Sequence, residues 1–510
     1  MNILVIRLHR LGDILQLCPL FRGLKSIYPS SNLYLLTGEG YESLFIENPD
    51  IDHIIPLPEK KYRYWMKNAK DSRVFNELYD LIDDYKKVDF DLIINRQYET
   101  GAMLAYLIGG KQVVGGSYHP DQGFFFSDSV SESLCKVIKT DRKMNRTNLV
   151  DWSLRIAGVH HSIPSDRYLA PSRQSLIEAE SLLGGTIKTG SPKPVAVQIG
   201  ASRAFRQWGI ENFALLISWL TKVKGKTVIL IGSPEEMNNS NALLEKISDR
   251  NHICNLVGKT NLGTLAAVLD QCETLITGDT GPMHMAAMLG ASVLALFYGT
   301  AFPWETAPYG KGHFVVFPDV ACAPCADPAR CREDHFCKKQ ITPAIVQEAF
   351  QVMKAKKEHL PSSGDRSSAS LPIYVTAFDR NGEQTLFPFD RESESCGYHA
   401  TKVSLREPVS LSLIDVNLLE KNREAVIKNL LSGDLSKGFQ MFSEYIGLYS
   451  QFLRQNPEIY SLAEGGFAGI IESCSRGLHA GDPVAIIDAL RYKFPLSTEF
   501  EKREGTDRGS

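Results

Sequence analysis

The stretch ETLITGDTGPMHMAAMLGASVLALFYG, residues 273–299, decides the fold. It reads as a short buried strand, a sharp loop, an apolar helix and a second buried strand, which is the pattern of a βαβ unit with parallel strands. Ligands of open parallel sheets bind beyond the carboxyl ends of the strands, and residues 277–282 lie at such an end. Thr280 or Gly281 is placed to cap the helix, and Pro282 suits its first turn, where a missing N–H costs nothing. The remaining N–H groups and the helix dipole attract an anion, most naturally a phosphate, and Gly281 lets the backbone approach it. Asp279 has the wrong sign for a phosphate ligand and suits sugar hydroxyls instead. His284 follows within the same helix and is a further candidate to line the same ligand site. A capped turn with no ligand is the plain alternative for this loop taken alone.

Working outward, the same alternation fills residues 190–357. PVAVQIG, TVILIGS and HICNLVG read as strands, and IENFALLISWLTKV, EEMNNSNALLEKI and LGTLAAVLDQC as helices, with TPAIVQEAFQVMKAKK closing the region. Each strand end carries useful chemistry. After PVAVQIG, Ser202 and Arg206 are candidates for a phosphate, the arginine through its planar fork of donors. After TVILIGS, Glu236 is placed to hold ribose hydroxyls, and VGKTNL offers Thr260 against a base. A solvated surface is the alternative for Arg206 or Glu236 taken singly.

Residues 1–175 repeat the pattern with NILVIRL, NLYLLTG, FDLIINR and KQVVGG as strands. Between the first two lies GDILQLCPLFRGLKSIY, helical in period, with Pro19 kinking or restarting it. Two doubly wound α/β domains facing across a cleft are therefore expected. In RLHRLGD the first strand ends and a helix begins near Asp13, where the helix N-terminus favours the ionised carboxylate that a general base needs. An aspartate that only caps its own helix is the alternative. Arg10, in the same loop, is a candidate for the acceptor.

IRLHRLGD, IGASRAFRQWGIENFA, LVGKTNLGTLAAVL and TGDTGPMHMAAMLG followed by VLALFYGT resemble glycosyltransferase family 9, the ADP-heptose:lipopolysaccharide heptosyltransferase family, over roughly residues 1–357. The resemblance implies a GT-B fold, metal-independent inverting transfer, Asp13 as catalytic base, and Ser202, Arg206, Glu236, Asp279, Thr280 and Gly281 at the donor. It also implies ADP-heptose as donor and a lipopolysaccharide-type or other glycan or protein acceptor. Arg206 stands where members often carry lysine, and Ala201-Ser202 where they often carry Thr-Thr. A nucleotide-sugar epimerase on the same fold and a non-catalytic nucleotide-sugar-binding adaptor are the competing readings.

Two further segments stand out. CAPCADPARCREDHFC places Cys322, Cys325, Cys331 and Cys337 in a C-x2-C-x5-C-x5-C arrangement, with His335 spare. Four thiolates on one loop suit a structural zinc or iron, with reduced thiols packing the loop as the alternative. No cofactor is expected for the chemistry itself. KKYRYWMKNAK, residues 60–70, sets five basic residues among three aromatics. Lys61 and Arg63 are candidates for an anionic acceptor or peripheral membrane contact, against a merely solvated loop.

A Ser-rich linker over 358–370 is expected to separate this core from a mostly helical region over 371–500, a candidate for acceptor selection or self-association. Residues 501–510 form a polar tail expected to be disordered. The 510 residues carry a formal charge of -3 with 43% hydrophobic and 23% charged residues, which gives no whole-chain bias toward nucleic acid. No run approaches the ~20 apolar residues of a spanning helix, and the basic residues follow the first apolar stretch, the wrong order for a secretory signal. The expectation is a soluble cytoplasmic protein, working at the inner face of the membrane if its acceptor is a lipid.

Overall fold

The computed structural model describes residues 1–58, 80–140, 142–159, 165, 167–184, 192–201, 204–318, 320, 322–325, 331, 334–358, 373–378 and 382–388. Ser202, Lys61 and Arg63, and the expected helical region after residue 388, lie outside them.

The first sheet has the order β3-β2-β1-β4-β5-β6. Its strands are β1 (Asn2–Arg7), β2 (Asn32–Gly38), β3 (His53–Leu57), β4 (Phe90–Asn95), β5 (Gly110–His119) and β6 (Gly123–Phe126). All neighbours pair parallel except β6, which returns antiparallel along β5. The central strands are apolar on both faces, as a sheet covered by helices on both sides requires. Ile3, Leu4, Val5 and Ile6 are all fully buried. Pro19 restarts the chain rather than kinking it: one helix covers Leu11–Leu15 and a second Cys18–Ile27, with Pro19 in its first turn.

The second sheet has the order β14-β13-β12-β11-β10-β7-β8-β9. Here β7 is Val195–Gln198, β8 Val228–Ile231, β9 Ile253–Asn255, β10 Thr274–Gly278, β11 Ser292–Leu296 and β12 Phe314–Val316. Counted from β7, the parallel part runs 3-2-1-4-5-6, and the first sheet counted from β1 runs 3-2-1-4-5. Both are doubly wound orders whose direction reverses beside the first strand, so each half has its switch point there. The β1/β4 crevice and the β7/β10 crevice are the two places where such a fold binds ligands.

Residues 373–388 correct the expected domain boundary. PIYVTAF was expected to open a separate region. Instead β13 (Ile373–Phe378) pairs antiparallel with β12, and β14 (Gln384–Pro388) pairs with β13. The compact unit runs from Met1 to Arg391. The physical reason is the edge of the second sheet: β12 exposes a row of unpaired backbone groups, and a strand from beyond the linker covers them. Ile373 and Val375 are buried against Phe314 and Val316 in one apolar cluster.

The N-terminal boundary also shifts. A helix over Arg173–Leu183 straddles residue 175 and lies on the second half, where Thr264 Oγ1 donates to Glu178 Oε2 at 2.5 Å. Just before it, the Tyr168 and Leu169 N–H groups both donate to the Met288 carbonyl, at 2.8 and 3.0 Å. One apolar cluster runs from Ile3 and Val5 through Ile14, Leu15 and Leu154 to Met283, Val293 and Tyr309, so the two halves share a core behind the cleft.

Candidate active site

The two crevices open into one cavity of 1970 Å³. Arg7, Arg10, Asp13 and Arg96 line it from the first half, and Arg206, Glu236, Thr260, Asp279, Thr280, Gly281 and His284 from the second. Residues about 270 positions apart in sequence thus share one space.

On the first wall, β1 delivers the chain into a tight turn. Arg10 holds φ 68°, a left-handed conformation uncommon for a non-glycine residue. Its carbonyl accepts from the N–H groups of Asp13 and Ile14, at 2.9 and 3.1 Å, and fixes the start of the Leu11–Leu15 helix. Asp13 pairs with the Arg7 guanidinium, which also donates to the Arg96 carbonyl. Asp13 is therefore held by a side chain from the strand before its helix and does not cap that helix. Arg96 follows β4 at the same switch point. Burial and the neighbouring Arg7 lower it to about 10, and its Nε has no hydrogen-bond partner among the described residues. Neither Arg7 nor Arg96 stands out in the sequence, because each looks like an ordinary charged residue ending an apolar strand.

On the second wall, Thr280 occupies the N-cap position of the Gly281–Met288 helix but makes no side-chain cap. Its hydroxyl turns away to donate to Gln198 Oε1 at 2.6 Å, and Thr277 donates to the same oxygen at 2.9 Å. The Gly281 N–H is left without a side-chain cap, which keeps this helix end open to an anion. Gln198 was not among the expected residues; its signal is a polar side chain on a strand otherwise fully apolar.

Arg206 lies in a short 3-10 turn after β7, where its Nε and Nη2 donate to Thr300 Oγ1 at 3.1 and 2.9 Å. Burial raises Asp279 to about 6, opposed first by Arg206, then by a hydrogen bond with Thr306 and by Arg142. Glu236 closes a capping box with Ser233, accepting from its N–H at 2.9 Å through Oε2. A Cβ at Gly200 would stand 1.7 Å from Glu236 Oε1, and one at Gly232 2.4 Å from Oε2. The two glycines are thus needed to admit this carboxylate, which burial pushes above its usual range.

The walls touch at their helix ends. A Cβ at Gly12 would stand 2.8 Å from His284 Cδ2, and one at Gly281 2.7 Å from Leu11 Cδ2. Glycine at both positions lets the Asp13 helix and the anion-facing helix meet backbone to backbone. Burial lowers His284 to about 4, so the ring is neutral at pH 7 and supplies no cation. It lies against Gly12 rather than beside Arg206.

Cys325 and Pro324 reach the cavity, so the cysteine loop forms part of its rim. Burial raises the Cys325 thiol, helped by Cys337, Cys322 and Cys331. Among the described residues, no group of three histidine, cysteine or acidic side chains is arranged to hold a metal ion. Among the described residues, no helix is long and apolar enough to cross a membrane.

Two doubly wound halves that open into one cavity are the arrangement of the GT-B fold. Residues 156–336 match the family model "Glycosyltransferase family 9 (heptosyltransferase)". Lipopolysaccharide heptosyltransferase 3 of Escherichia coli is 23% identical over 306 residues, covering 58% of this chain and 84% of the relative. Lipooligosaccharide heptosyltransferase 2 of Campylobacter jejuni is 27% identical over 153 residues, covering 29% of this chain and about half, 47%, of the relative. Among solved structures, a family 9 glycosyltransferase from Veillonella parvula superposes with TM-score 0.57 at 20% identity, covering 70% of this chain and 97% of that one. The ADP-heptose heptosyltransferase II of E. coli gives 0.51 at 18% identity, covering 70% and 100%.

Proposed function

We propose that this chain is an inverting heptosyltransferase that moves a heptose from ADP-heptose to a hydroxyl of a lipopolysaccharide-type acceptor, without a metal in the chemical step. The observation that carries this reading is the placement of Asp13 in the same cavity as Arg206 and the uncapped end of the Gly281–Met288 helix. In the reaction the Asp13 carboxylate takes the proton of the acceptor hydroxyl as its oxygen bonds to the anomeric carbon. The bond from that carbon to the diphosphate oxygen breaks, and its electron pair leaves with ADP. Arg206 and the Gly281 N–H meet the charge that develops there, preorganised and partly shielded from water. Attack from one wall and departure toward the other give inversion. Glu236 accepts from ribose hydroxyls, Thr260 lies toward the base, and Asp279 accepts from the sugar. Arg10 faces the acceptor.

The names of the relatives support the donor and acceptor classes. The test is mass spectrometry and proton NMR of products formed from ADP-heptose with heptose-acceptor glycolipids. A new glycosidic bond of inverted configuration is the expected result. Release of an isomerised sugar nucleotide, or no turnover with any glycolipid, glycan or protein acceptor, overturns the reading.

A further inference from the structure

Arg142 belongs to the first half by sequence and serves the second by contact. It begins the 3-10 turn Arg142–Met144, just beyond the Ser129–Thr140 helix. Its Nε donates to Glu305 Oε2 at 2.6 Å and its Nη1 to the Thr300 carbonyl at 2.8 Å. Glu305 is only 2% exposed, and its other oxygen has no hydrogen-bond partner among the described residues. A carboxylate so buried is strongly destabilising when a cation paired with it is removed. Arg142 is therefore what allows the Thr300–Thr306 segment to sit where it does.

Both donor-side charges lean on that segment. Thr300 offers its carbonyl to Arg142 and its hydroxyl oxygen to Arg206, so one residue is gripped from both walls. Thr306, at the end of the Pro303–Thr306 helix that carries Glu305, hydrogen-bonds Asp279. We infer that Arg142 is a positioning residue: it reaches from the acceptor half and, through Thr300 and Thr306, holds Arg206 and Asp279 in register for the diphosphate sugar. The inference rests on the donor-site reading given above.

The test measures ADP and adenosine affinity by calorimetry for the wild type, Arg142→Gln, Arg206→Ala and the double variant. Arg142→Gln should weaken ADP roughly tenfold and leave adenosine within about twofold, because the segment holds Arg206 and Asp279, whereas Glu236 is held by Ser233. In the Arg206→Ala background the same change should cost less than about twofold more, since residues acting through one contact are not additive. Multiplicative losses, or equal losses for ADP and adenosine, overturn the inference. Should Arg142→Gln fold poorly, the Arg142→Gln, Glu305→Gln pair removes the stranded charge and is read the same way. Wild-type protein that binds no ADP would instead overturn the donor reading itself, and the inference with it.

Discussion

At the switch point of the first sheet stand Arg7, Asp13 and Arg96; at that of the second stand Arg206, Asp279 and an open helix end. The strand order around both is the same, so the backbone offers the same crevice twice. The first crevice holds a half-buried carboxylate gripped by the guanidinium of Arg7 from the preceding strand. The second holds a buried carboxylate that burial raises to about 6 and an arginine aimed by a threonine. Topology supplies the place, and the roles we propose for a few side chains there are opposite: proton acceptance on one wall, anion stabilisation on the other.

The largest expected break in this comparison comes from Asp13→Asn. The amide is nearly isosteric but takes no proton, so turnover should fall ~10²–10⁴-fold while ADP affinity stays within a few-fold. Steady-state kinetics alongside calorimetry checks both halves of the statement. Near wild-type turnover would remove Asp13 from the role of base.

Truncation sharpens where the second half ends. A chain stopped after residue 391 should keep its melting temperature and ADP affinity, since the compact unit closes there. One stopped after residue 370 loses β13 and β14, and with them Ile373 and Val375 from the core. Losing buried aliphatic side chains costs about 2–5 kcal/mol each, so the shorter chain should be strongly destabilised in a melting experiment.

Within the second wall, Arg206→Ala and Glu236→Ala should separate. The arginine variant should lose ADP affinity by roughly tenfold or more and spare adenosine, since charge-assisted bonds to phosphate are the strong ones. The glutamate variant should lose ADP and adenosine alike. Identical profiles for the two variants would contradict their placement along the nucleotide.

The smallest effect concerns Asp151, which ties the Leu149–Ile156 helix to the added strands. It accepts from the Tyr309 hydroxyl at 2.8 Å and the Gln384 N–H at 2.9 Å. Burial raises its carboxyl from 3.8 to about 7. Between those values the native state binds the proton more tightly than the unfolded chain, so ionisation opposes folding. This contribution is fully favourable below about pH 4 and is lost as pH rises through 7. Asp151→Asn should flatten that part of the stability profile and gain about 1 kcal/mol at pH 8, limited because one accepting oxygen becomes a donor. Denaturant melts at pH 5 and pH 8 decide it: an undiminished loss of stability between them in the variant would assign the slope to other groups.

The central strands of both sheets, the loops at their ends and several of the cavity-lining side chains are legible in the sequence alone. Those features are local. Apolar runs of strand length, the helix start at Gly281-Pro282 and the capping box of Ser233 and Glu236 are each written within a few residues. Only the tertiary structure decided that Thr280 turns to Gln198, that Gly12 and Gly281 admit His284 and Leu11, that β13 covers the edge of β12, and that Arg142 reaches Glu305. Each of these joins residues dozens to hundreds of positions apart, and no period or spacing along the chain encodes such a meeting. An arginine after a helix reads as solvated until a buried carboxylate from the other half comes within 2.6 Å of it. Burial then makes the pair obligatory, because a charge removed from water needs its partner.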